Sequence, residues 1–137
     1  MPAFVKKEWG SEEIIANGVY CGKRMTLNKG YRCSIHYHAQ KHETFFVEKG
    51  SMLVEIEEEP RKERQNKELK KLNLVVMNKG DVLVIQPNTA HRFTGLDNNT
   101  VFFEFSTHDT PEDSIRITTS EKVPGPEFEQ ILATYGP

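Results

Sequence analysis

Residues 30–50 of this chain, GYRCSIHYHAQKHETFFVEKG, decide its fold. His36 and His38 lie two positions apart in a segment that reads as a β-strand, and side chains at i and i+2 of a strand point to the same face. Glu43 begins a second apolar run, which Gly50 ends. Two imidazoles and a carboxylate that converge from neighbouring strands predict a metal site that needs one further ligand.

A second stretch, residues 80–91 (GDVLVIQPNTAH), offers a candidate for this ligand, because it reads as a strand and a turn that end at His91. Three histidines and a glutamate suit a borderline divalent metal such as Mn, Fe, Co, Ni or Zn, with positions left open for a substrate. Burying these groups without a partner would be costly, so their joint pattern favours a metal site over separate structural residues. We therefore expect one divalent ion per chain, held by His36, His38, Glu43 and His91.

The spacing of the first stretch, G-x5-H-x-H-x4-E-x6-G, resembles the first motif of the cupin superfamily at every position. Gly80, Pro87 and His91 resemble the second motif of that superfamily. The resemblance implies a small antiparallel β-barrel of the jelly-roll type with the metal inside it. Short strands separated by turn residues along the rest of the chain also suit an all-β barrel. We expect one domain over residues 1–137, with the first motif at 30–50 and the second at 80–93.

Two segments depart from the strand pattern. Phe128, Ile131, Leu132 and Tyr135 recur at helical spacing, which predicts a short C-terminal helix packed on the barrel or on a second subunit. Residues 57–72, EEEPRKERQNKELKKL, are dominated by charge. Such a segment cannot bury much surface, so it predicts a solvated excursion that acts as a lid or is only a mobile loop.

Glu104 is the candidate catalytic residue. It lies among phenylalanines in the predicted strand 101–106, which is unusual for a carboxyl group with a structural role. If Glu104 faces the interior of the barrel, its pKa should be raised and it could act as a general acid or base near the metal.

Further polar residues lie near the motifs. Strand alternation places Arg32 and Ser34 on the inward face that carries His36 and His38. Four others are candidates for substrate binding, although surface positions are more common for such residues: Lys23, Lys41, His108 and Arg116.

The segments WGSEEI, HETFFVEKG, QPNTAHRF and FFEFSTHD resemble, in this order, the sugar-isomerase branch of the cupins. This branch includes the D-lyxose isomerases and the C-terminal domain of bifunctional mannose-6-phosphate isomerases. The resemblance implies a manganese site on His36, His38, Glu43 and His91, and a glutamate at the position of Glu104. It implies a metal-dependent aldose–ketose isomerase that acts on a free or phosphorylated sugar.

Two alternatives stay open. A mononuclear iron or nickel dioxygenase uses the same set of three histidines and one glutamate, and phenylalanine-rich strands permit an apolar lining. A non-catalytic sugar-binding cupin is the second alternative.

Composition excludes several other classes. The net charge of −2, without a basic stripe, argues against a nucleic-acid partner. No apolar run approaches the length of a membrane span, and the first residues do not resemble a signal peptide. Cys21 and Cys33 are too few for a disulfide framework and are expected to be free, buried thiols. We therefore expect a cytoplasmic protein, and a homodimer because partly covered barrels tend to pair.

Overall fold

The computed structural model describes residues 3–59 and 63–137. Within these ranges the chain forms thirteen β-strands, a short 3-10 turn at Pro111–Asp113 and one α-helix, α1 (Gly125–Tyr135). In chain order the strands are β1 (Ala3–Lys7), β2 (Gly10–Asn17), β3 (Tyr20–Leu27), β4 (Tyr31–Arg32), β5 (His36–His38), β6 (Glu43–Lys49), β7 (Ser51–Glu57), β8 (Leu72–Asn78), β9 (Val82–Ile85), β10 (His91–Gly95), β11 (Thr100–Thr107), β12 (Ser114–Arg116) and β13 (Glu121–Lys122).

The strands form two antiparallel sheets that enclose the core. The six-stranded sheet has the order β1-β2-β3-β11-β6-β9. The seven-stranded sheet has the order β12-β5-β10-β4-β13, and β7 and β8 join it through β10. Both sheets contribute alternate apolar side chains to one cluster, which includes Met25, Phe45 and Phe102 from the first sheet and Val54 and Phe93 from the second. The expected all-β barrel is therefore confirmed.

The C-terminal helix packs on the barrel, which confirms the first of the two positions that we predicted for it. The ring of Phe128 lies 3.6 Å from the point where a Cβ atom on Gly30 would stand. Gly30 also has a φ of 81°, in the left-handed region that glycine adopts without strain. Arg32 donates to Glu121 of β13 and to Glu127 of α1, and these bonds attach both elements to β4.

The inward position that we predicted for Arg32 is wrong. Residues 33–35 lie between β4 and β5 and are not part of a strand, so strict alternation does not hold across them. Cys33 packs in the apolar core, while Arg32 contacts β13 and α1 instead of the interior. The inward position of Ser34 is confirmed, because Ser34 lines the same cavity as His36.

The charged segment 57–72 is not only a solvated excursion. Residues 60–62 lie outside the described residues, and most of the other residues of the segment are exposed. However, the side chains of Glu57 and Arg64 form an ion pair, and both have an exposed fraction of 0%. The segment therefore has an anchor that consists of two charges, which strand and helix patterns do not reveal.

Three short strands, β1, β12 and β13, were not predicted, because two- to five-residue segments rich in polar side chains carry little periodic signal. Both cysteines are buried and free, as expected. No helix in the described part of the chain has the length and apolar character that a membrane crossing requires.

Candidate metal centre

The sheet register brings three histidines together. His36 and His38 share one face of β5, and His91 at the start of β10 stands directly opposite His36. One ligand atom from each ring lies within 4.8 Å of the others. The ring centroids of His36 and His91 are 4.6 Å apart, and those of His36 and His38 are 5.0 Å apart. These residues can therefore hold a metal ion, as the spacing predicted.

Backbone carbonyls orient two of the rings. The Nδ1 atom of His36 lies 2.8 Å from the carbonyl oxygen of Ser34, and the Nδ1 atom of His91 lies 2.8 Å from that of Thr89. A carbonyl oxygen only accepts, so each Nδ1 carries the proton and donates it. In the neutral ring this leaves the Nε2 lone pair free, which is the usual arrangement of a histidine that binds a metal.

Glu43 approaches the histidines from the opposite sheet. It begins β6, and its Oε1 atom lies 2.9 Å from Nε2 of His91 and 3.8 Å from Nε2 of His38. Both carboxylate oxygens and Nε2 of His91 are buried, and none has a hydrogen bond to a described residue. The Nζ atom of Lys41 lies 3.2 Å from Oε2 of Glu43. Oε1 of Glu43 and the Nε2 atom of a neutral His91 both only accept, however, so these two atoms face each other without a donor. A divalent cation would satisfy both at once, so the residues fit the metal that we predicted.

The ionisation states also suit metal binding. Burial, followed by the neighbouring imidazoles, lowers the pKa of His36 well below its usual value. Burial also lowers the pKa of His38, to about 4. Burial by itself raises the pKa of Glu43, but His91 and Lys41 outweigh it, and the pKa lies well below the usual value. Two of the histidines are therefore neutral and the glutamate is ionised at neutral pH, which are the forms that bind metals.

A cavity of about 530 Å³ opens beside the histidines. Its apolar wall includes Trp9, Phe45 and Phe93, and its polar wall includes Lys41 and Glu104. The cavity is large enough for a small-molecule ligand and offers both surfaces that such a ligand needs.

The polar wall is a buried network of charges centred on Lys41. The Nζ atom of Lys41 lies 3.0 Å from Oε2 of Glu104, 3.0 Å from Oδ1 of Asp109 and 3.2 Å from Oε2 of Glu43. Lys23 continues the network, with Nζ 2.9 Å from both Asp109 and Glu12. Burial by itself raises the pKa of Asp109, but hydrogen bonds and ion pairs with the two lysines outweigh it and lower this pKa to about 2.

Glu104 has the opposite shift. Its exposed fraction is 4%, and it shares the inward face of β11 with Phe102. Burial, followed by the negative charge of Glu43, raises its pKa to about 8, although Lys41 and Lys23 lower it. Glu104 thus faces the interior, and its pKa is shifted in the direction that we expected for that position.

The sequence also matches a family. The model of the family described as the cupin domain matches residues 23–103, which include all four candidate metal ligands and most of the barrel. This chain belongs to the cupin family. No match was found among curated proteins.

Several solved structures share this cupin fold. Oxalate decarboxylase from Bacillus subtilis aligns with a TM-score of 0.70 at 14% identity, over 85% of this chain and 30% of its own. KdgF from Halomonas sp. aligns with a TM-score of 0.64 at 17% identity, over 80% and 89%. The capsular polysaccharide assembling protein CapF from Staphylococcus aureus aligns with a TM-score of 0.70 at 14% identity, over 87% and 32%. This cupin thus spans about a third of oxalate decarboxylase and CapF. At these identities the similarity shows the fold alone.

The four candidates for substrate binding differ in their positions. Lys23 and Lys41 have exposed fractions of 6% and 3% and line the cavity, so neither has the surface position that is more common for a lysine. Arg116 is exposed but also lines the cavity, because it stands opposite His36 in the pairing of β12 with β5. His108 is exposed, its Nδ1 atom lies 2.8 Å from the carbonyl oxygen of Gly18, and it is not among the residues that line the cavity.

Two carboxylates of the cupin cavity were missed in the sequence. Glu12 contacts Lys7 and Lys23, and Asp109 bridges Lys23 and Lys41. Alternation in β3 places Lys23 on the inward face, between Cys21 and Met25. Because a buried lysine requires nearby carboxylates, this pattern indicates that a residue such as Glu12 must lie close to it. Asp109 follows the last residue of β11 by two positions and carries no such signal.

Proposed function

We propose that this cupin is a metal-dependent aldose–ketose isomerase acting on a free or phosphorylated sugar. The observation that carries the proposal is Glu104, a buried carboxyl group that lines the cavity beside the candidate metal ligands. An isomerase of this kind needs a base that removes a proton from one carbon and returns it to the next. A carboxyl group whose pKa is close to the working pH suits such a step.

In this proposal His36, His38, Glu43 and His91 hold the divalent metal, and manganese is the ion that we favour. When bound, this metal would polarise the carbonyl oxygen and the adjacent hydroxyl oxygen of the sugar.

Glu104 moves the proton. Its carboxylate takes the proton from C2 of an aldose, and the electron pair of that C–H bond forms a double bond between C1 and C2. The carbonyl oxygen on C1 takes up the proton that the hydroxyl oxygen on C2 releases. Glu104 then returns its proton to C1, and C2 becomes the carbonyl carbon of the ketose. Lys41 donates to Glu104 at 3.0 Å and holds the carboxylate in place during both transfers.

A mononuclear dioxygenase is the second candidate, and the apolar wall of the cavity favours it. Trp9, Phe45 and Phe93 lie on this wall, and Trp9 contacts Phe93 edge-to-face at a centroid distance of 5.0 Å. The buried lysines and carboxylates on the other wall favour a polyhydroxylated substrate instead. We also propose that the enzyme is a homodimer.

Glu104→Gln tests the isomerase directly. The substitution keeps the shape of the side chain and removes the base, so turnover should fall by about 10²-fold or more while the metal stays bound. Isomerisation of pentoses, hexoses and their phosphates is measured with and without oxygen. Glu55→Gln is the control, because Glu55 is paired with Arg92 and does not line the cavity.

Three results would contradict the proposal. Unchanged isomerisation by Glu104→Gln would mean that the base lies elsewhere. A parent protein that isomerises no sugar in the panel would remove the isomerase function itself. Oxygen consumption that Glu104→Gln leaves intact would favour the dioxygenase.

A further inference from the structure

Arg64 and Glu57 form a buried ion pair outside the cavity, behind the metal centre. The guanidinium group of Arg64 lies over the ring of Tyr37, 4.3 Å from its centroid. Tyr37 is the residue between His36 and His38. Arg64 therefore covers the side of β5 that faces away from the candidate ligands, where it makes a cation–π contact as well as the ion pair.

The same pair binds the loop that leads to the third histidine. Residues 86–90 connect β9 to β10 and end immediately before His91. Arg64 donates to the carbonyl oxygen of Asn88 at 3.0 Å, and Oε1 of Glu57 accepts from the backbone nitrogen of Ala90 at 2.8 Å. The backbone nitrogen of Glu57 also donates to the carbonyl oxygen of Ala90, at 3.0 Å.

This loop is joined to β5 as well. The backbone nitrogen of Asn88 donates to the carbonyl oxygen of His38 at 2.7 Å, and Thr89 provides the carbonyl oxygen that orients the ring of His91. Asn88 has a φ of 64°, a left-handed conformation that asparagine tolerates better than most residues. The ion pair thus contacts the backbone of the loop that precedes His91 and the ring of the residue between His36 and His38.

We propose that the Arg64–Glu57 pair is a positioning device for the metal centre, which fixes the loop 86–90 against β5 and thereby sets where His91 stands relative to His36 and His38. The inference rests on the proposed function, because it takes these histidines as metal ligands. A purely structural role explains the pair less well. Buried ion pairs contribute little net stability, whereas partners that orient metal ligands typically determine a large part of the metal affinity.

The test is the affinity of the purified protein for Co²⁺, measured by competition with a chromophoric chelator, together with the visible absorption spectrum of the Co²⁺ complex. We expect Arg64→Gln to raise the dissociation constant by about 10- to 100-fold and to change the spectrum. Arg64→Lys keeps the charge but not the planar guanidinium, so its Co²⁺ affinity should lie between that of Arg64→Gln and that of the parent. Lys71→Ala is the matched control, because Lys71 belongs to the same segment and its ion pair with Glu58 is exposed. It should bind Co²⁺ with the affinity of the parent.

The double variant Glu57→Gln/Arg64→Met covers the case in which Arg64→Gln leaves a charge buried and does not fold. The double variant buries no charge, so we expect it to fold in the absence of metal, as measured by circular dichroism, and to show the same weakened Co²⁺ binding. Parent-like affinity and spectrum in the folded variants would overturn the inference. Failure of both variants to fold would also overturn it, because the pair would then be structural. A parent protein that binds no Co²⁺ would instead contradict the proposed metal centre.

Discussion

At the scale of the residue, the five histidines show how position decides the role of one chemical group. His36, His38 and His91 have their rings together because of strand alternation and sheet register. His42 lies one residue before Glu43 and is exposed, as alternation predicts, and His108 is exposed on the segment that follows β11. The imidazole is the same in all five, and only the inward position makes it a candidate ligand.

The metal-binding prediction belongs to this scale. The parent protein, purified without chelator, should carry close to one divalent ion per chain, and His38→Ala and His91→Ala should each lose it, because each removes one nitrogen donor. The metal content is measured by elemental analysis of the folded proteins. His42→Ala is the control and should keep its metal. A full complement of metal in both His38→Ala and His91→Ala would contradict the assignment.

At the scale of the element, the two candidate ligands His38 and Glu43 are joined by a short loop that depends on Asp113. Asp113 ends the 3-10 turn, and its two carboxylate oxygens accept from the backbone nitrogens of Gln40 and Lys41, each at 2.9 Å. The backbone of the turn also accepts from the nitrogen of Ala39. The turn therefore holds the connection between β5 and β6 and sets the start of β6.

Asp113→Ala should lower the free energy of unfolding by about 1–3 kcal/mol, because two backbone donors lose a charged acceptor. The change is measured by urea denaturation of the metal-free protein. Asp113→Asn keeps one acceptor oxygen and should recover part of the loss. Glu112→Ala, at the exposed neighbouring position, should have the stability of the parent. Equal stability of Asp113→Ala and Glu112→Ala would show that the turn does not hold the loop.

At the scale of the whole molecule, the outer face of the six-stranded sheet carries an apolar patch on β11, β6 and β9. Phe103 pairs with Phe46, and Phe46 pairs with Val82, across the three strands. Phe105 and Val84 have exposed fractions of 52% and 49% and lie in the next row of the same face. The rings of Phe103 and Phe105 stack, with centroids 6.0 Å apart. A contiguous exposed patch of this kind is typical of a protein interface.

We expect this patch to pair two copies of the chain in the homodimer that we propose. Phe105→Glu would place a charge in the apolar interface and should shift the protein to a monomer, as measured by sedimentation velocity at about tens of micromolar, above weak-dimer affinities. Val19→Glu, at a position with an exposed fraction of 96% between β2 and β3, should leave the dimer intact. A monomeric parent would contradict the dimer, and a dimeric Phe105→Glu would place its interface elsewhere.

The sequence by itself determined the fold class and the set of candidate metal ligands. The strand period of two puts His36 and His38 on one face, and the turn residues around them mark the strand ends. The same period separates Glu104 from its neighbours Phe103 and Phe105, although only the structure shows that Glu104 faces the interior. The helical spacing of Phe128, Ile131 and Tyr135 located α1. These features were predictable because they depend on residues that are close together in the chain.

Only the tertiary structure decided which charges are buried and what they contact. Lys23 and Asp109 are 86 residues apart in the sequence, and Lys41 and Asp109 are 68 apart, yet each pair is in hydrogen-bond contact. Arg64 lies in a segment that reads as solvated, and its partner Glu57 and its contact with the loop before His91 are not visible in any local pattern. A charged side chain is stable in the interior only when opposite charges and hydrogen-bond acceptors surround it. Those partners come from distant strands and loops, so the fold must bring them together before the burial of a charge can be known.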